Sequence, residues 1–483
     1  MKHSINPTRS LPDDEVIQWI NRHVWTDGAE LATEWRQARE EGRDLTSVDS
    51  DFARLLAVPA PDDSWHQHLG GERNLRWWAE AVALVDRVQT LPLRKDFCFV
   101  EPDDLAAIRK ERPPEINRPS WSGNRDLFEE KLHGGLLGRI CGCMLGKPVE
   151  SWTRKSIEVT ARLTGNWPLS DYLRMPTEEE QKKIAAENPS HYFRKPSPGV
   201  LRGTIDGMVI DDDINYTALG FVLVDQFGPD FTRQDVATAW CGYLPILHTC
   251  TAERVAYRNF VNNVLPPLSA TYRNPYREWI GAQIRADYFG YANPGNPERA
   301  AEWAWRDASI SHTRNGIYGE MWVAAMLAAA YVETDWPTII EAGLAQIPAR
   351  CRLASDIREI LAARRGGQSW TAVINHIHTR WQETSHHDWC HTNSNAQVVV
   401  AALLYGNDQY GETISKAVMA GFDTDCNGAT CGSLWGVVHG LTALPEQWTS
   451  PMNDIVRTGV TKYPRTSISH LAGKMAETAW KNL

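Results

Sequence analysis

Apolar residues recur at three- and four-residue spacing over positions 73–88, 298–308, 319–332, 355–365 and 415–421. That is the periodicity of helices with one buried face. The strict alternation that marks a half-buried strand is scarce, so the pattern predicts an all-α chain. Pro113, Pro114 and Pro119, followed by Trp121, Ser122, Gly123 and Asn124, predict a linker near 110–126. The chain then divides into an N-terminal helical region, 1–126, and a main domain, 127–483. Inside the main domain Pro168, Pro176, Pro189, Pro196 and Pro198 predict an irregular insertion over 166–203. It carries one charged, solvated helix at 177–188.

Two further segments share an unusual regularity. Gly134, Gly138, Gly142 and Gly146 fall at every fourth position, and so do Gly428, Gly432, Gly436 and Gly440. Spacing of four puts each set on nearly one face of a helix. A glycine inside a helix costs about 0.8–1.0 kcal/mol relative to alanine, so two such stripes need a reason. Close approach of two helix backbones supplies one. Membrane helices use the same spacing, but Arg139, Lys147 and His439 within these segments argue for a tight bundle in water.

Composition narrows the classes. With 42% hydrophobic and 23% charged residues the chain has ample core and is not a disordered or repetitive protein. Its formal net charge of −10 argues against a dedicated nucleic-acid binder, which needs a basic surface. The apolar run from Met321 to Val332 stops short of the roughly 20 residues that span a bilayer. The first 20 residues lack the apolar stretch of a secretory signal. The odd count of nine scattered cysteines fits a reducing, cytoplasmic compartment. Seven of the 21 tryptophans (Trp19, Trp25, Trp35, Trp65, Trp77, Trp78 and Trp121) fall within 1–126, which suggests a cap burying them against the main domain.

Candidate chemistry concentrates in two acidic runs. Asp211, Asp212 and Asp213 directly precede an apolar helical pattern. One Asp caps a helix well and anions are favoured at its N-terminus, but a third adjacent carboxylate adds repulsion unless a cation neutralises it. On spacing alone capping and metal binding stand level. Asp423 and Asp425, two apart before the second glycine stripe, tip the balance toward a cation. The run from Asp423 to Gly428 superficially matches a calcium-loop start, yet Leu434 stands where that loop needs a bidentate glutamate. Hard oxygen ligands suit Mg²⁺, Mn²⁺ or Ca²⁺, and five carboxylates could hold two ions. His386, His387, Cys390 and His391 have zinc-like spacing, but they lack a distant partner pair. No phosphate-loop, dinucleotide or nucleophile-elbow motif is present.

With these pieces placed, the chain resembles the ADP-ribosylglycohydrolase family over 127–483. The segment from Gly135 to Glu150 is similar to the family's opening helix, and Asp211 to Asp213 to its Thr-Asp-Asp-Thr motif. Ser311, His312, Thr313 and Gly316 are similar to the start of its central helix, and the stretch from Gly421 to Gly436 to its closing Gly-Gly-Asp-Thr-Asp-Thr motif.

The resemblance implies an all-α orthogonal helix bundle with two Mg²⁺ ions, to which 1–126 adds an extra helical region. It implies Asp211, Asp212, Asp213, Asp423 and Asp425 as metal ligands. Glu150 becomes the gating or acid–base glutamate, with Asp212 and Asp425 beside it in catalysis. Asp287, Tyr291, His312, Asn427 and Trp389 are the candidates for substrate binding. The expected reaction is hydrolysis of an N- or O-glycosidic bond to ribose in an ADP-ribosylated protein or a small ribosyl substrate. The alternatives are a hydrolase of small furanosides or nucleosides, with Tyr288, Tyr291, Trp303, Trp305 and Trp389 available to stack on a base, and an inactive ADP-ribose binder. Arg285 and Arg314 are the basic residues considered for an anionic substrate. Residues 1–126 are expected to pack on the catalytic core or to dimerise. Four positions depart from the family pattern: Asp211, Ile214 and Cys426 replace threonines, and Cys143 replaces an aspartate.

Overall fold

The computed structural model describes residues 28–57, 72–114, 119–190 and 198–483. They are mostly helical. The helices that matter below are α1 (Gly28–Glu40), α2 (Asp49–Ala57), α3 (Glu72–Val88), α4 (Arg125–Gly146), α5 (Asp212–Phe227), α6 (Arg314–Ala329), α7 (Thr392–Tyr405), α8 (Tyr410–Met419) and α9 (Thr424–His439). Two three-residue strands, β1 (Ile455–Arg457) and β2 (Arg465–Ser467), pair antiparallel. Among the described residues no helix is long and apolar enough to cross a membrane, and all nine cysteines are unpaired.

The two glycine stripes meet. Helices α4 and α9 run antiparallel with Gly134 against Gly436, Gly138 against Gly432, Gly142 against Gly428, and Gly146 against Thr424. A Cβ at Gly134 would lie 2.5 Å from the Gly436 carbonyl oxygen, and the other three contacts are tighter still. No side chain larger than hydrogen fits along the seam. Polar groups close over it: the Tyr410 hydroxyl donates to the Gly138 carbonyl at 2.8 Å, and the Thr424 hydroxyl to that of Gly146 at 2.9 Å. Helices α6, α7 and α8 pack around α9, and α5 packs against α4. From Asn315 onward α6 is buried on every face, and α9 likewise from Thr424 to Val438. Helices apolar all round belong inside a bundle.

Where observed helices differ from the expected ranges, the caps explain it. Periodicity over 319–332 misses the first turn of α6, which starts at Arg314, whose amide donates to Asp103 at 2.6 Å. Likewise 355–365 starts one turn late, because the Cys351 thiol caps a helix at Arg352–Arg365. The segment read as 415–421 is the end of α8, which stops before Gly421 at φ +80°. In the insertion, Thr177 and Glu180 form a capping box that starts the helix at Glu178–Glu187.

Residues before the linker build a second, smaller core from Leu31, Phe52, Trp77, Val85 and Val88 on α1, α2 and α3. For Trp35 and Trp77 this corrects the expectation that the early tryptophans bury against the main domain. Trp77 sits in the small core and its Nε1 donates to the Leu55 carbonyl at 3.1 Å, while half-buried Trp35 packs on the same core. Trp121 alone of the described ones reaches the main core, edge-on to Tyr331 at 5.3 Å. Trp19, Trp25, Trp65 and the Trp78 side chain lie outside the described residues.

The junction between the two cores is ionic. Arg277 donates to Glu34 at 2.7 Å and Glu41 at 2.9 Å. Arg352 joins Glu101 to Glu278, Gln37 donates to Glu278 at 2.7 Å, and Arg36 pairs with Asp388 at 3.2 Å. Removing one partner of a buried pair strands the other, at about 3–5 kcal/mol.

Two outcomes follow for stability. Gly142→Val or Gly432→Val should cost about 3 kcal/mol or more, because backbone cannot yield as a side chain can. Gly473→Ala, at a helical position with open space around it, should instead gain about 0.8–1.0 kcal/mol. Thermal and urea unfolding of the three variants tests the contrast. Arg277→Met should lower the melting temperature through the stranded Glu34 and Glu41, and Glu34→Gln in the same background should restore part of it.

Candidate metal centre

The seam fixes where the carboxylates meet. Because α9 begins where α4 ends, Asp423 and Asp425 lie beside Lys147 and Glu150, which follow α4 directly. The turn before α9 is forced: Gly421 and the buried, non-glycine Phe422 both hold positive φ, +80° and +58°. A left-handed conformation at such a residue costs about 1–3 kcal/mol. The Phe422 carbonyl accepts a hydrogen bond from Trp389 Nε1 at 2.7 Å, which helps hold it there.

At the start of α5 Asp211 is the N-cap, accepting the Asp213 amide at 2.9 Å. Capping uses one carboxylate of the three. Potential ligand atoms of Cys143, Asp211, Asp213 and Asp425 all lie within 4.8 Å of one another, and those of Asp423, Asp425 and Cys426 form a second group sharing Asp425. Four of the five expected ligand carboxylates are therefore brought together. Asp212 joins neither group and stays partly exposed beside them. The thiols of Cys143 and Cys426, read from the sequence only as departures, point into the cluster. Cys390 adds a third, its Sγ donating to Asp423 at 3.7 Å.

Two cations from α4 and its end enter the cluster, and both were missed as site residues. Arg139 is wholly buried, donating to Asp213 at 3.0 Å and pairing with Asp287 at 2.9 Å. Lys147 pairs with Asp211, Asp425 and Glu150. A signal existed: Arg139, Cys143 and Lys147 also stand four apart, each one residue after a stripe glycine, and share the face beside the seam.

Burial governs the ionisation of the group. It pushes Asp212, Asp213 and Asp423 well above the usual carboxylate range; the neighbouring Asp425 charge adds to it in all three, and that of Asp211 in the first two. Burial also raises Asp211, but Lys147 outweighs it and holds that carboxyl low. Glu150 is pushed up to about 7, by burial and then by Asp425. Burial keeps Cys143 a thiol, with the surrounding carboxylates reinforcing the shift. Asp213 Oδ2 and Asp425 Oδ1 are buried without hydrogen-bond partners. Unpartnered buried carboxylate oxygens are costly unless a cation meets them. The donor chemistry fits a hard divalent cation held chiefly by carboxylates.

The expected substrate residues separate. Trp389 is half-buried at the rim, tied to the backbone just before Asp423. Asn427 is buried on the first turn of α9, bonded to Asn395 at 2.8 Å. Asp287 and Tyr291 are interior: Asp287 faces Arg139, and the Tyr291 hydroxyl meets Ser433 at 2.5 Å. Both support the cluster through Arg139 and present no surface to a ligand. His312 is fully buried with its Nδ1 on Ser311 at 2.8 Å. Tyr288 donates to the Met475 carbonyl, Trp303 is core, and Trp305 lies under Arg233. Arg285 is consumed by Glu253, Asp307 and Glu320, and Arg314 by the Glu41 carbonyl. The zinc-like set does not assemble. His387 Nδ1 accepts from Trp279, His391 Nδ1 accepts the Asn393 amide, and burial pushes both imidazoles well below their usual range.

The family model for ADP-ribosylglycohydrolase matches residues 124–482. No curated protein matches the sequence. Among solved structures, a chain of an ADP-ribosylglycohydrolase-related protein complex aligns at 16% identity and a TM-score of 0.47, covering 74% of this chain and 100% of its own.

The bound-metal content of the purified protein should not change on His387→Gln, whereas Asp423→Asn should reduce it. Elemental analysis of the two variants after equilibrium dialysis separates the acidic cluster from the histidines.

Proposed function

The chain belongs to the ADP-ribosylglycohydrolase family, and from that premise we propose that it hydrolyses a glycosidic bond to ribose, with an ADP-ribosyl group as the favoured substrate. The observation that carries the reading is the carboxylate cluster, with two buried, unpartnered carboxylate oxygens, next to a glutamate that still reaches solvent: the Glu150 side chain is 38% exposed. Carboxylates of the cluster, Asp423 and Asp425 among them, would hold a divalent cation, Mg²⁺ or Mn²⁺. Such a cation stabilises negative charge on nearby oxygens and orients a ribose diol.

The protein's own part is proton handling and positioning. Glu150, raised to about 7, is poised to take a proton near neutrality. As water attacks the anomeric carbon, the C–O or C–N bond to the leaving group breaks. Glu150 accepts the proton from the water and can return it to the departing atom. Lys147 orients the Glu150 carboxylate from 2.8 Å. Asp212, outside both ligand groups and partly exposed, is placed to hydrogen-bond a sugar hydroxyl. Trp389 offers a face at the rim for a sugar or base.

One observation favours a second reading, hydrolysis of a small neutral furanoside. Arg285 and Arg314, the cations considered for a phosphate, are spent inside the protein.

Turnover against ADP-ribosylated peptides and free nucleosides decides between them. Asp212→Ala and Asp425→Ala should abolish magnesium-dependent release of ribosyl product on chromatography, and full activity of either in chelator defeats the reading. Glu150→Gln should lower kcat by about 10²–10⁴-fold with a smaller effect on KM.

A further inference from the structure

The two ligand groups are not equivalent: Lys147 pairs with two members of the first, Asp211 and the shared Asp425, and in the second with the shared Asp425 alone. Lys147 Nζ lies 2.7 Å from Asp211 Oδ2, 3.1 Å from Asp425 Oδ2 and 2.8 Å from Glu150 Oε2. An ammonium has three donors, and here each faces a carboxylate oxygen. Asp211 and Asp425 are also two of the four members of the first ligand group. The lysine is held to this place from both sides. Gly146 before it abuts the Thr424 backbone, and Pro148 after it is buried in the short turn that ends α4. The second group differs. Among the described residues no Lys or Arg pairs with Asp423, and Asp425, 2% exposed, keeps its Oδ1 unpartnered.

We propose that Lys147 is a tethered monovalent cation occupying the first ligand group, so that the site binds one divalent ion, at Asp423 and Asp425, where the donors alone would allow two. The proposal rests on reading the cluster as a cation site. It assigns Lys147 a definite role: the ammonium neutralises Asp211 by ion pairing and one oxygen of Asp425 by hydrogen bonding, and leaves the other Asp425 oxygen for the ion. The geometry offers the divalent ion the Asp423 side.

The test counts ions and uses no substrate. The full chain, stripped with chelator and desalted, is titrated with Mn²⁺, and bound equivalents are read from the loss of the free-ion paramagnetic resonance signal. Wild type should bind one tight equivalent. Lys147→Met, which keeps the aliphatic stem and drops the charge, and Lys147→Ala should each bind one more. Two equivalents in wild type overturn the proposal, as does a variant count no higher than wild type. Should circular dichroism show both lysine variants unfolded, Asp423→Asn decides: loss of the single wild-type equivalent sustains the assignment, and its retention overturns it. A chain that gives these counts yet hydrolyses nothing leaves the inference standing and removes the proposed activity, so the two fail separately.

Discussion

Two helix backbones can touch only where neither carries a side chain. In this protein that condition is met three times in succession, at Gly134 with Gly436, Gly138 with Gly432 and Gly142 with Gly428, and Gly146 then meets the Thr424 backbone. The seam sets the distance between helices and also their register. Register is what the chemistry depends on, since a carboxylate pair on one helix must end level with a lysine and a glutamate at the end of the other. The helical cost of the glycines, about 0.8–1.0 kcal/mol each, is offset by dense packing on both sides and by the electrostatic order it creates at one end.

That order is a balance of buried charge. Like charges placed this close would protonate or push apart in an apolar interior. Three sources of positive charge meet them: Arg139 from beneath, Lys147 from the side, and the N-termini of α5 and α9, where the backbone itself carries partial positive charge. Arg139 has a double duty, since it also holds Asp287, which in turn is bonded to Tyr291 and Ser433. The residues expected to touch substrate at 287 and 291 thus belong to the support of the site.

The sequence shows these features unevenly, and the reasons are physical. A four-residue glycine repeat is a strong signal because it opposes helix propensity, and the two stripes do pair. Adjacent aspartates before an apolar helix are equally plain, since capping needs only one. What sequence spacing hides is which face of a helix looks into the site. Arg139 and Lys147 argue only against a membrane until the seam orients α4, and Cys143 and Cys426 are only departures from the family pattern until their thiols are seen among the carboxylates. Tyrosines and tryptophans mislead in the other direction. Tyr288, Tyr291 and Trp303 look like stacking platforms in a list of residues and are core in three dimensions. Helix starts at Arg314 and Arg352 escape the apolar period because a cap is a hydrogen bond rather than a hydrophobic position.

The ionic junction at the N-terminal region has a consequence of its own. Buried ion pairs contribute little net adhesion, yet they are satisfied in a single pose, so α1 is keyed into place more than it is glued. One of its teeth, Arg36, grips Asp388, whose neighbour Trp389 is tied to the backbone ahead of Asp423. Helix α1, which precedes the stretch matched by the family model, therefore leans on the rim of the acidic cluster through Arg36 and Asp388. Linkage is reciprocal: a ligand that ordered Trp389 would tighten the key by the same free energy with which the key orders Trp389.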